Sequence, residues 1–351
     1  MLRDSRWRPT RPLAVAAAAL ALTGCYYAHL AAGQLEMNRK REPITEVIAS
    51  PATDATLRER LALAVRARDF AMGELGLPDN GSYRSFADLG RRYATWNLFA
   101  APELSVDPKR WCFPVAGCVA YRGYFDEAQA ARAAEKLRRR GYDTWIGPSI
   151  AYSTLGHLRD PVLNTMLGYG DAELAAFIFH ELAHQAAYAP GDSDFNEAFA
   201  TVVEAEGLRR WLPQQGRPGE LGKFLARRER QRESAALMVD ARRRLGAIYA
   251  RAPDEATARR EKAAELARLA TALAAAGHPT AGELNNARLA AAATYERCVP
   301  GLRAELERLD NDLPAFYSAM KRLEHDAAAR ARLCPAVTVT AGGEGPSGQG
   351  R

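Results

Sequence analysis

The chain has 351 residues, of which 48% are hydrophobic, and a formal charge of +6 at pH 7. This length and apolar content exclude a wholly disordered chain and allow one substantial core with a helical subdomain. The charge does not indicate a nucleic-acid-binding protein, because the arginines of the most charged region, 219–275, are interleaved with glutamates as on a solvated helical face.

The amino terminus has the organisation of a bacterial lipoprotein signal. Several arginines precede an apolar run, Pro12 to Leu22, that is too short to cross a bilayer as a helix. Leu22-Thr23-Gly24-Cys25 then matches a lipobox, whose cysteine is diacylated and becomes the new amino terminus. We therefore expect residues 1–24 to be a signal peptide and Cys25 to be lipidated. A simple secretory signal with an incidental cysteine is the alternative.

The residue after the cysteine bears on the location. Tyr26 stands where retention in the inner membrane would favour aspartate, so we expect the periplasmic side of the envelope, at the outer membrane. Each buried acyl CH₂ adds about 0.8 kcal/mol to such an anchor. The sequence has no other segment that is long and apolar enough to span a membrane.

Strand and helix patterns alternate in the first half of the chain. Strand patterns cover Val115–Phe125 and Tyr142–Thr154, and a helix is predicted between them at 126–140. This β-α-β order predicts a small sheet, with a right-handed crossover where the strands are parallel. Ala151–Gly156 is the candidate edge strand for a substrate backbone, with Tyr152 as a candidate contact. A plain connecting strand is the alternative.

The most informative segment, His180 to His184, reads His-Glu-Leu-Ala-His and lies in a helix predicted over 171–188. Histidines four residues apart share a helix face, so both imidazoles can bind one Zn²⁺, while Glu181 can activate a water molecule. Zinc lowers the pKa of a bound water from 15.7 to about 7. The apolar flanking residues argue against the alternative, a surface helix whose His and Glu side chains are only solvated.

A catalytic zinc needs a third protein ligand and an open fourth position. A second helix is predicted over 194–211, with Glu197 in its first turn and Glu204 two turns later on the same face. Glu197 could instead belong to a capping box with Asp194. Glu204 could be a solvated residue or a hydrogen-bond partner of a ligand histidine. We favour Glu197 as the ligand.

The segment Asn196–Thr201 resembles the Asn-Glu-Gly-Phe-Ala segment of gluzincin aminopeptidases. The resemblance implies that Glu197 is the third zinc ligand beside His180 and His184, and that Glu181 is the general base. The 12 residues between His184 and Glu197 are fewer than in the large gluzincin aminopeptidases.

Over most of residues 26–335 the chain is more similar to the predicted-aminopeptidase lipoproteins of Gram-negative bacteria. Four further segments carry this resemblance: Gly76–Arg84, Trp111–Cys118, Tyr121–Phe125 and Ala151–Gly156. It implies a zinc peptidase with one Zn²⁺ and a peptide substrate.

Four cysteines remain beside Cys25, and an even number in an oxidising compartment predicts two disulfides. Three connectivities are open. Local pairing of Cys112 with Cys118 would leave Cys298 to pair with Cys334 and join the carboxyl-terminal helices.

The second half of the chain is predominantly helical. A break at Ala252-Pro253-Asp254 divides 219–275 into two long amphipathic helices, and helix patterns continue to 332. The predicted fold is α+β and mostly helical, with a small β-sheet beside a zincin-like HExxH helix. We expect a metallopeptidase domain over 25–335 that includes a helical subdomain at about 219–332. The Gly-rich segment 336–351 is predicted to be disordered.

Peptide hydrolysis also needs a donor that stabilises the oxyanion. Tyr295 is the first candidate, with Asn285 or Asn286 contacting the substrate backbone. A helix cap for Asn285 and a core position for Tyr295 are the alternatives. Tyr188 and Tyr152 are the next oxyanion candidates.

Three functions fit these patterns: a zinc aminopeptidase for periplasmic peptides, a zinc endopeptidase of envelope quality control, and a non-catalytic metal-binding lipoprotein. The presence of Glu181 and the three visible ligands favour an enzyme. An aminopeptidase also needs a group that receives the substrate α-amine; Glu204 and Asp194 are available, and the sequence does not choose between them.

Overall fold

The computed structural model describes residues 26–113, 117–278, 282–293 and 298–334. The signal peptide, Cys25, Tyr295 and the tail after 335 lie outside these ranges, so the expectations about them stay predictions. Within the described ranges, no helix combines the length and the hydropathy needed to span a membrane.

Helices hold most of the described residues, and the fold is α+β and mostly helical, as predicted. In chain order the helices are α1 (26–39), α2 (Ile44–Ala49), α3 (Ala55–Gly73), α4 (Glu127–Arg138), α5 (Asn164–Leu167), α6 (Asp171–Ala183), α7 (Ser193–Gln214), α8 (Gly219–Arg251), α9 (Glu255–Ala275), α10 (Asn286–Ala293), α11 (Val299–Arg308), α12 (Leu313–Leu323) and α13 (Ala327–Leu333). The predicted break at Pro253 is confirmed, and the Asp254 side chain caps α9 by accepting a hydrogen bond from Thr257 N.

In the part of the chain that the structure describes, the strands are two to eight residues long and form three small sheets. They are β1 (Arg41–Pro43), β2 (Ser85–Ala87), β3 (Thr95–Pro102), β4 (Trp111–Phe113), β5 (Gly117–Val119), β6 (Tyr121–Tyr124), β7 (Tyr142–Ser149) and β8 (Val162–Leu163). The main sheet has the order β6-β3-β7, and β3 is antiparallel to both neighbours. The predicted β-α-β unit is therefore present as β6-α4-β7, but β3, which the sequence patterns missed, separates its two strands.

Successive side chains of β3 point to opposite faces of the sheet, and each face is covered by a helix. Trp96 and Leu98 pack in a cluster with α4, whereas Phe99 packs with Ala287 and Ala291 of α10. The strand β6 is left as an edge of this sheet, and its Tyr121 faces the HExxH region.

The predicted edge strand at Ala151–Gly156 is wrong as a strand. β7 ends at Ser149, and His157 N donates to Thr154 O to close a turn. Leu155 and Gly156 adopt left-handed backbone angles, φ 55° and 79°, that a strand does not allow.

The HExxH helix α6 is central, packing against α3, α5, α7 and α8. Phe179 is fully buried, with its ring 5.9 Å from that of Phe70 and 6.2 Å from that of Trp211. Helix α7 can approach only because Gly207 has no side chain, since a Cβ there would lie 2.7 Å from Phe179 Cδ2. Burial of Phe179 alone contributes about 1.5–3 kcal/mol, so α6 is held by packing on several sides.

Two disulfides are present, and of the three connectivities open from the sequence the structure has the one with local pairing of Cys112 and Cys118. One joins Cys112 to Cys118 across the β4–β5 hairpin. The other joins Cys298, at the start of α11, to Cys334, at the end of α13. These two helices approach so closely that a Cβ at Gly301 would collide with the Leu333 carbonyl. The second disulfide thus fixes a backbone-to-backbone helix contact.

Because loop entropy grows with the closed length, we predict that Cys298→Ala with Cys334→Ala lowers the free energy of unfolding by about 4 kcal/mol. The matched pair Cys112→Ala with Cys118→Ala should cost about 2 kcal/mol, since it closes a loop of sequence separation 6 rather than 36. Urea unfolding followed by circular dichroism measures both losses. An equal or larger loss for the 112–118 pair would contradict this assignment.

Candidate metal centre

The end of α6 positions both histidines. The helix ends at Ala183, earlier than the predicted 188, and His184 is its C-cap. His184 keeps right-handed helical angles, φ −57° and ψ −20°, and its N–H still donates to the His180 carbonyl. The two rings therefore remain on one face, with centroids 4.9 Å apart.

The turn between α6 and α7 directs Glu197 at these histidines. Asn196 locks this turn, since its Oδ1 accepts from Ala189 N at 2.7 Å and its Nδ2 donates to Ala189 O at 2.9 Å. The N-cap of α7 is Asp192, whose side chain accepts from Phe195 N. Glu197 is therefore not the glutamate of an N-terminal capping box and remains available for the site.

Three side chains converge at one point. Glu197 Oε2 lies 3.3 Å from His180 Nε2, and Glu197 Oε1 lies 3.8 Å from His184 Nε2. One ligand atom from each residue lies within 4.8 Å of the other two, an arrangement that could hold a metal ion. About a fifth of the His180 and Glu197 side chains is exposed, so solvent reaches this point.

The donor set fits zinc. Two atoms bound to one tetrahedral Zn²⁺ at about 2.0–2.1 Å are about 3.3 Å apart. The separation of His180 Nε2 from Glu197 Oε2 is 3.3 Å, and that of His184 Nε2 from Glu197 Oε1 is 3.8 Å. Two imidazole nitrogens and one carboxylate oxygen leave a fourth position open, as in catalytic zinc sites. His184 faces the other two residues through Nε2, which lies 3.8 Å from Glu197 Oε1, and its Nδ1 is buried without a hydrogen-bond partner in the described chain.

Glu204 supports His180 from behind. Its Oε2 lies 2.9 Å from His180 Nδ1, and its Oε1 accepts hydrogen bonds from the Arg228 guanidinium. The Glu204 side chain is 1% exposed. Burial raises its pKa, but the hydrogen bond from His180 and the charge of Arg228 overcome this effect and lower the pKa below its ordinary value. A carboxylate in this position fixes the ring orientation and leaves Nε2 for a metal.

The protonation of the two histidines differs when no metal binds them. Burial opposes charge on both rings. At His180 the hydrogen bonds to Glu197 and Glu204 outweigh burial and raise the pKa to about 10. At His184 burial dominates and lowers the pKa to about 4. A neutral His184 is ready to act as a ligand, whereas a metal must displace a proton from His180.

Glu181 is buried beside the two histidines. Burial raises its pKa to about 7, and although the charge of His180 lowers this pKa, the carboxylates of Glu197 and Asp160 raise it. A carboxylate with a pKa near neutrality can both accept and return a proton.

The segment after β7 borders Glu181 although it is not a strand. The Ser153 hydroxyl hydrogen-bonds Glu181 and also lies 3.3 Å from Asp160 Oδ2. Asp160 further accepts hydrogen bonds from the Thr154 backbone and hydroxyl. The buried Asp160 thus holds the 153–154 backbone beside the predicted base.

Tyr121 is a site residue that the sequence reasoning did not single out. Burial raises its pKa, and the nearby Glu197, Tyr188 and Glu181 raise it further, so the phenol stays protonated and can donate a hydrogen bond. Its place on β6, an edge strand, brings it near enough to Glu197 and Glu181 for their charges to affect its pKa. The sequence indicated Tyr121 only indirectly, because Tyr121–Phe125 is one of the segments that resemble the predicted-aminopeptidase lipoproteins.

The other predicted residues lie in varied surroundings. The Tyr188 ring is 6.4 Å from that of His184, at the site, and the Tyr152 ring packs 4.8 Å from that of Phe125. Tyr295 lies outside the described residues.

The two asparagines hold α10 against the main sheet. Asn285 Nδ2 donates to Thr144 O, and Asn285 Oδ1 accepts from Arg288 N. Asn286 Nδ2 donates to the carbonyls of Pro102 and Glu103, and its Oδ1 accepts from Tyr249. Both side chains are engaged in these hydrogen bonds. The contact from Arg288 N shows that Asn285 caps α10, which was the alternative interpretation.

Comparison with known protein families places the chain in one family. The model of the family described as “Putative aminopeptidase” matches residues 25–333. The chain belongs to this aminopeptidase family. No match was found among curated proteins or among solved structures. Membership of the aminopeptidase family indicates peptidase activity and a peptide substrate.

For this member of the aminopeptidase family, we predict that Glu204→Gln weakens Zn²⁺ binding by about 10–100-fold, because the His180 ring loses its charged partner. Competition with a fluorescent chelator measures the affinity. Glu206→Gln is the matched control: Glu206 is also buried on α7, but its carboxylate pairs with Arg209 and Arg210. Equal zinc affinity in the two variants would show that Glu204 does not support the metal.

Proposed function

We propose that the protein is a zinc-dependent aminopeptidase that acts on peptides at the periplasmic side of the bacterial envelope. The observation that carries the proposal is the convergence of His180, His184 and Glu197 within ligand distance, directly beside Glu181. Membership of the aminopeptidase family supports the reaction class.

The roles of the residues follow from their positions. His180, His184 and Glu197 would hold the ion, which when bound polarises the scissile carbonyl and acidifies a water molecule. Glu181 takes a proton from the attacking water and returns it to the leaving amine. Glu204 and Arg228 keep the His180 ring oriented, and thereby keep the position from which the water attacks unchanged.

A protonated tyrosine stabilises the developing oxyanion. Tyr121 is our first choice among the described residues, because burial and the charges of Glu197 and Glu181 raise the pKa of its phenol, which keeps it protonated. Tyr188 and Tyr295 are the further candidates. Loss of one such donor lowers the rate by about 10²–10³-fold.

The lipid anchor is part of the proposal. The basic segment, the short apolar run and the Leu-Thr-Gly-Cys sequence ending at Cys25 support diacylation of this cysteine and attachment to the outer membrane. The two disulfides fit an oxidising compartment such as the periplasm.

The test uses the full chain in detergent, loaded with zinc, on a peptide library in which each peptide has a free or an acetylated amino terminus. We expect loss of single amino-terminal residues from the free peptides only. Glu181→Gln should lower kcat/KM by at least about 10²-fold, since the general base is lost. Mass spectrometry of the products measures both effects.

Two other results would overturn the assignment. Internal cleavage in both peptide sets would make the protein an endopeptidase. Absence of cleavage despite one bound zinc per chain would favour a non-catalytic metal-binding lipoprotein.

A further inference from the structure

Helix α1 presents an apolar face to solvent directly after the cysteine that carries the proposed lipid. The helix begins at Tyr26, and residues 26–35 contain no Asp, Glu, Lys or Arg. The exposed face of this segment, here called the α1 stripe, consists of Tyr27, Ala28, Ala31, Ala32 and Leu35. Tyr27 is 46% exposed and Leu35 is 47% exposed. A helix that is only solvated has polar or charged residues on its outer face, and the α1 stripe has none.

The opposite face of α1 is fixed to the domain. The Tyr26 hydroxyl donates to Gly123 O at 3.0 Å, and Phe125 N donates to His29 Nε2 at 2.9 Å. The helix backbone approaches the Phe125 ring so closely that a Cβ at Gly33 would lie 2.1 Å from Phe125 Cδ2. Helix α1 therefore cannot turn its apolar stripe inwards without losing these contacts.

The proposed anchor places a bilayer at the amino-terminal end of the stripe. Tyr27 is two residues from Cys25, so the two Cα atoms are at most about 7 Å apart. Leu35 is eight residues further along the helix, a rise of about 12 Å. An upright helix would carry Leu35 away from the lipid, whereas a helix that lies in the membrane plane brings both side chains to the interface. The spacing of Tyr27, Ala31 and Leu35 on one face favours the in-plane orientation.

The charges around the stripe are complementary to an anionic lipid surface. The Arg122 guanidinium lies over the Tyr26 ring, 3.5 Å from its centroid, at the end next to the anchor. Arg39 is exposed at the other end of α1. Glu36 carries the one carboxylate of this helix, and Arg91 Nη1 donates to its two oxygens at 2.9 and 3.0 Å. Basic groups beside a membrane are attracted to anionic phospholipids, and here no unpaired acid of α1 opposes them.

The size of the stripe favours lipid over a protein partner. Its five residues, three of them alanines, are far fewer than the about 20–30 residues that each side of a stable protein–protein interface contributes. A contact of this size is weak by itself. Attachment through the lipid makes contact with the bilayer intramolecular, so that a weak interaction is sufficient.

We propose that α1 lies in the plane of the membrane, with the α1 stripe against phospholipid, and that it sets the orientation of the whole domain on the bilayer. The strand β6, which α1 contacts at Gly123, also carries Tyr121. The candidate metal centre is thereby held in a constant position relative to the membrane surface. The inference rests on the lipid anchor of the proposed function and not on the peptidase activity.

The test uses the full acylated chain in vesicles of phosphatidylethanolamine and phosphatidylglycerol, with a nitroxide spin label at Leu35→Cys. Electron paramagnetic resonance measures collisions of the label with oxygen, which concentrates in lipid, and with a water-soluble nickel chelate. We expect the label at 35 to be accessible to oxygen and shielded from nickel. Leu225→Cys is the matched control, because Leu225 is 46% exposed but lies among the charged residues of α8. Its label should remain accessible to nickel.

Two results at position 35 would overturn the inference and leave the anchor intact. One is a label that nickel reaches as readily as it reaches the label at 225. The other is shielding from nickel and oxygen together with spin–spin broadening, which would place a second copy of the chain on the stripe. Ala31→Cys gives a second position on the same stripe and should behave as Leu35→Cys does.

Mass spectrometry of the amino-terminal peptide distinguishes failure of the orientation from failure of the anchor. An unacylated Cys25 in a chain that does not bind the vesicles would overturn the anchor and the orientation together. Cleavage of peptides by the same preparation tests the aminopeptidase activity separately from both.

Discussion

The burial of ionisable groups between α6 and α7 is the constraint on which the rest of the structure depends. His180, Glu181, His184, Glu197 and Glu204 lie together in a helical core, where an unpaired charge is strongly destabilising. The arrangement is stable only when each group has a partner. Arg228 neutralises Glu204, and Glu204 binds His180. A divalent cation would bind the ligand atoms of His180, His184 and Glu197.

The packing around the site maintains those pairings. Gly207 allows α7 to contact Phe179 directly, and Asn196 holds the connecting turn through two hydrogen bonds to Ala189. Glu197 is thereby carried to the histidines by a short turn. On the other side, Asp160 organises the segment that contacts Glu181. The chemistry of the site is therefore determined by rigid elements, which is the condition for electrostatic preorganisation.

The parts of the site that could be predicted from sequence are those set by local spacing. The four-residue spacing places His180 and His184 on one face, as predicted. This holds although the helix ends at Ala183, because His184 retains helical backbone angles. What escaped prediction depends on distant contacts. Tyr121 reaches the site because β6 pairs with β3 and forms an edge of the main sheet. The sequence patterns did not identify β3 as a strand. Arg228 pairs with Glu204 across 24 residues of sequence, and no local pattern indicates that contact.

The strand error at 151–156 has the same origin. The residues Ala151 to Thr154 have strand propensity, but the buried Asp160 carboxylate binds the Thr154 backbone and hydroxyl, and a left-handed turn at Leu155 and Gly156 follows. Tertiary hydrogen bonds thus override the local preference. The segment still reaches Glu181, so its position near the site could be predicted although its conformation could not.

The central claim, one zinc held by two histidines and one glutamate, is tested most directly by metal content combined with X-ray absorption on the full chain in detergent. The account predicts one zinc per chain, with nitrogen and oxygen ligands at about 2.0–2.1 Å and no sulfur. Binding should be lost in His180→Ala, His184→Ala and Glu197→Ala, and retained in His157→Ala, which alters an exposed histidine. Retention of zinc in the first three variants, or sulfur in the coordination shell, would contradict it.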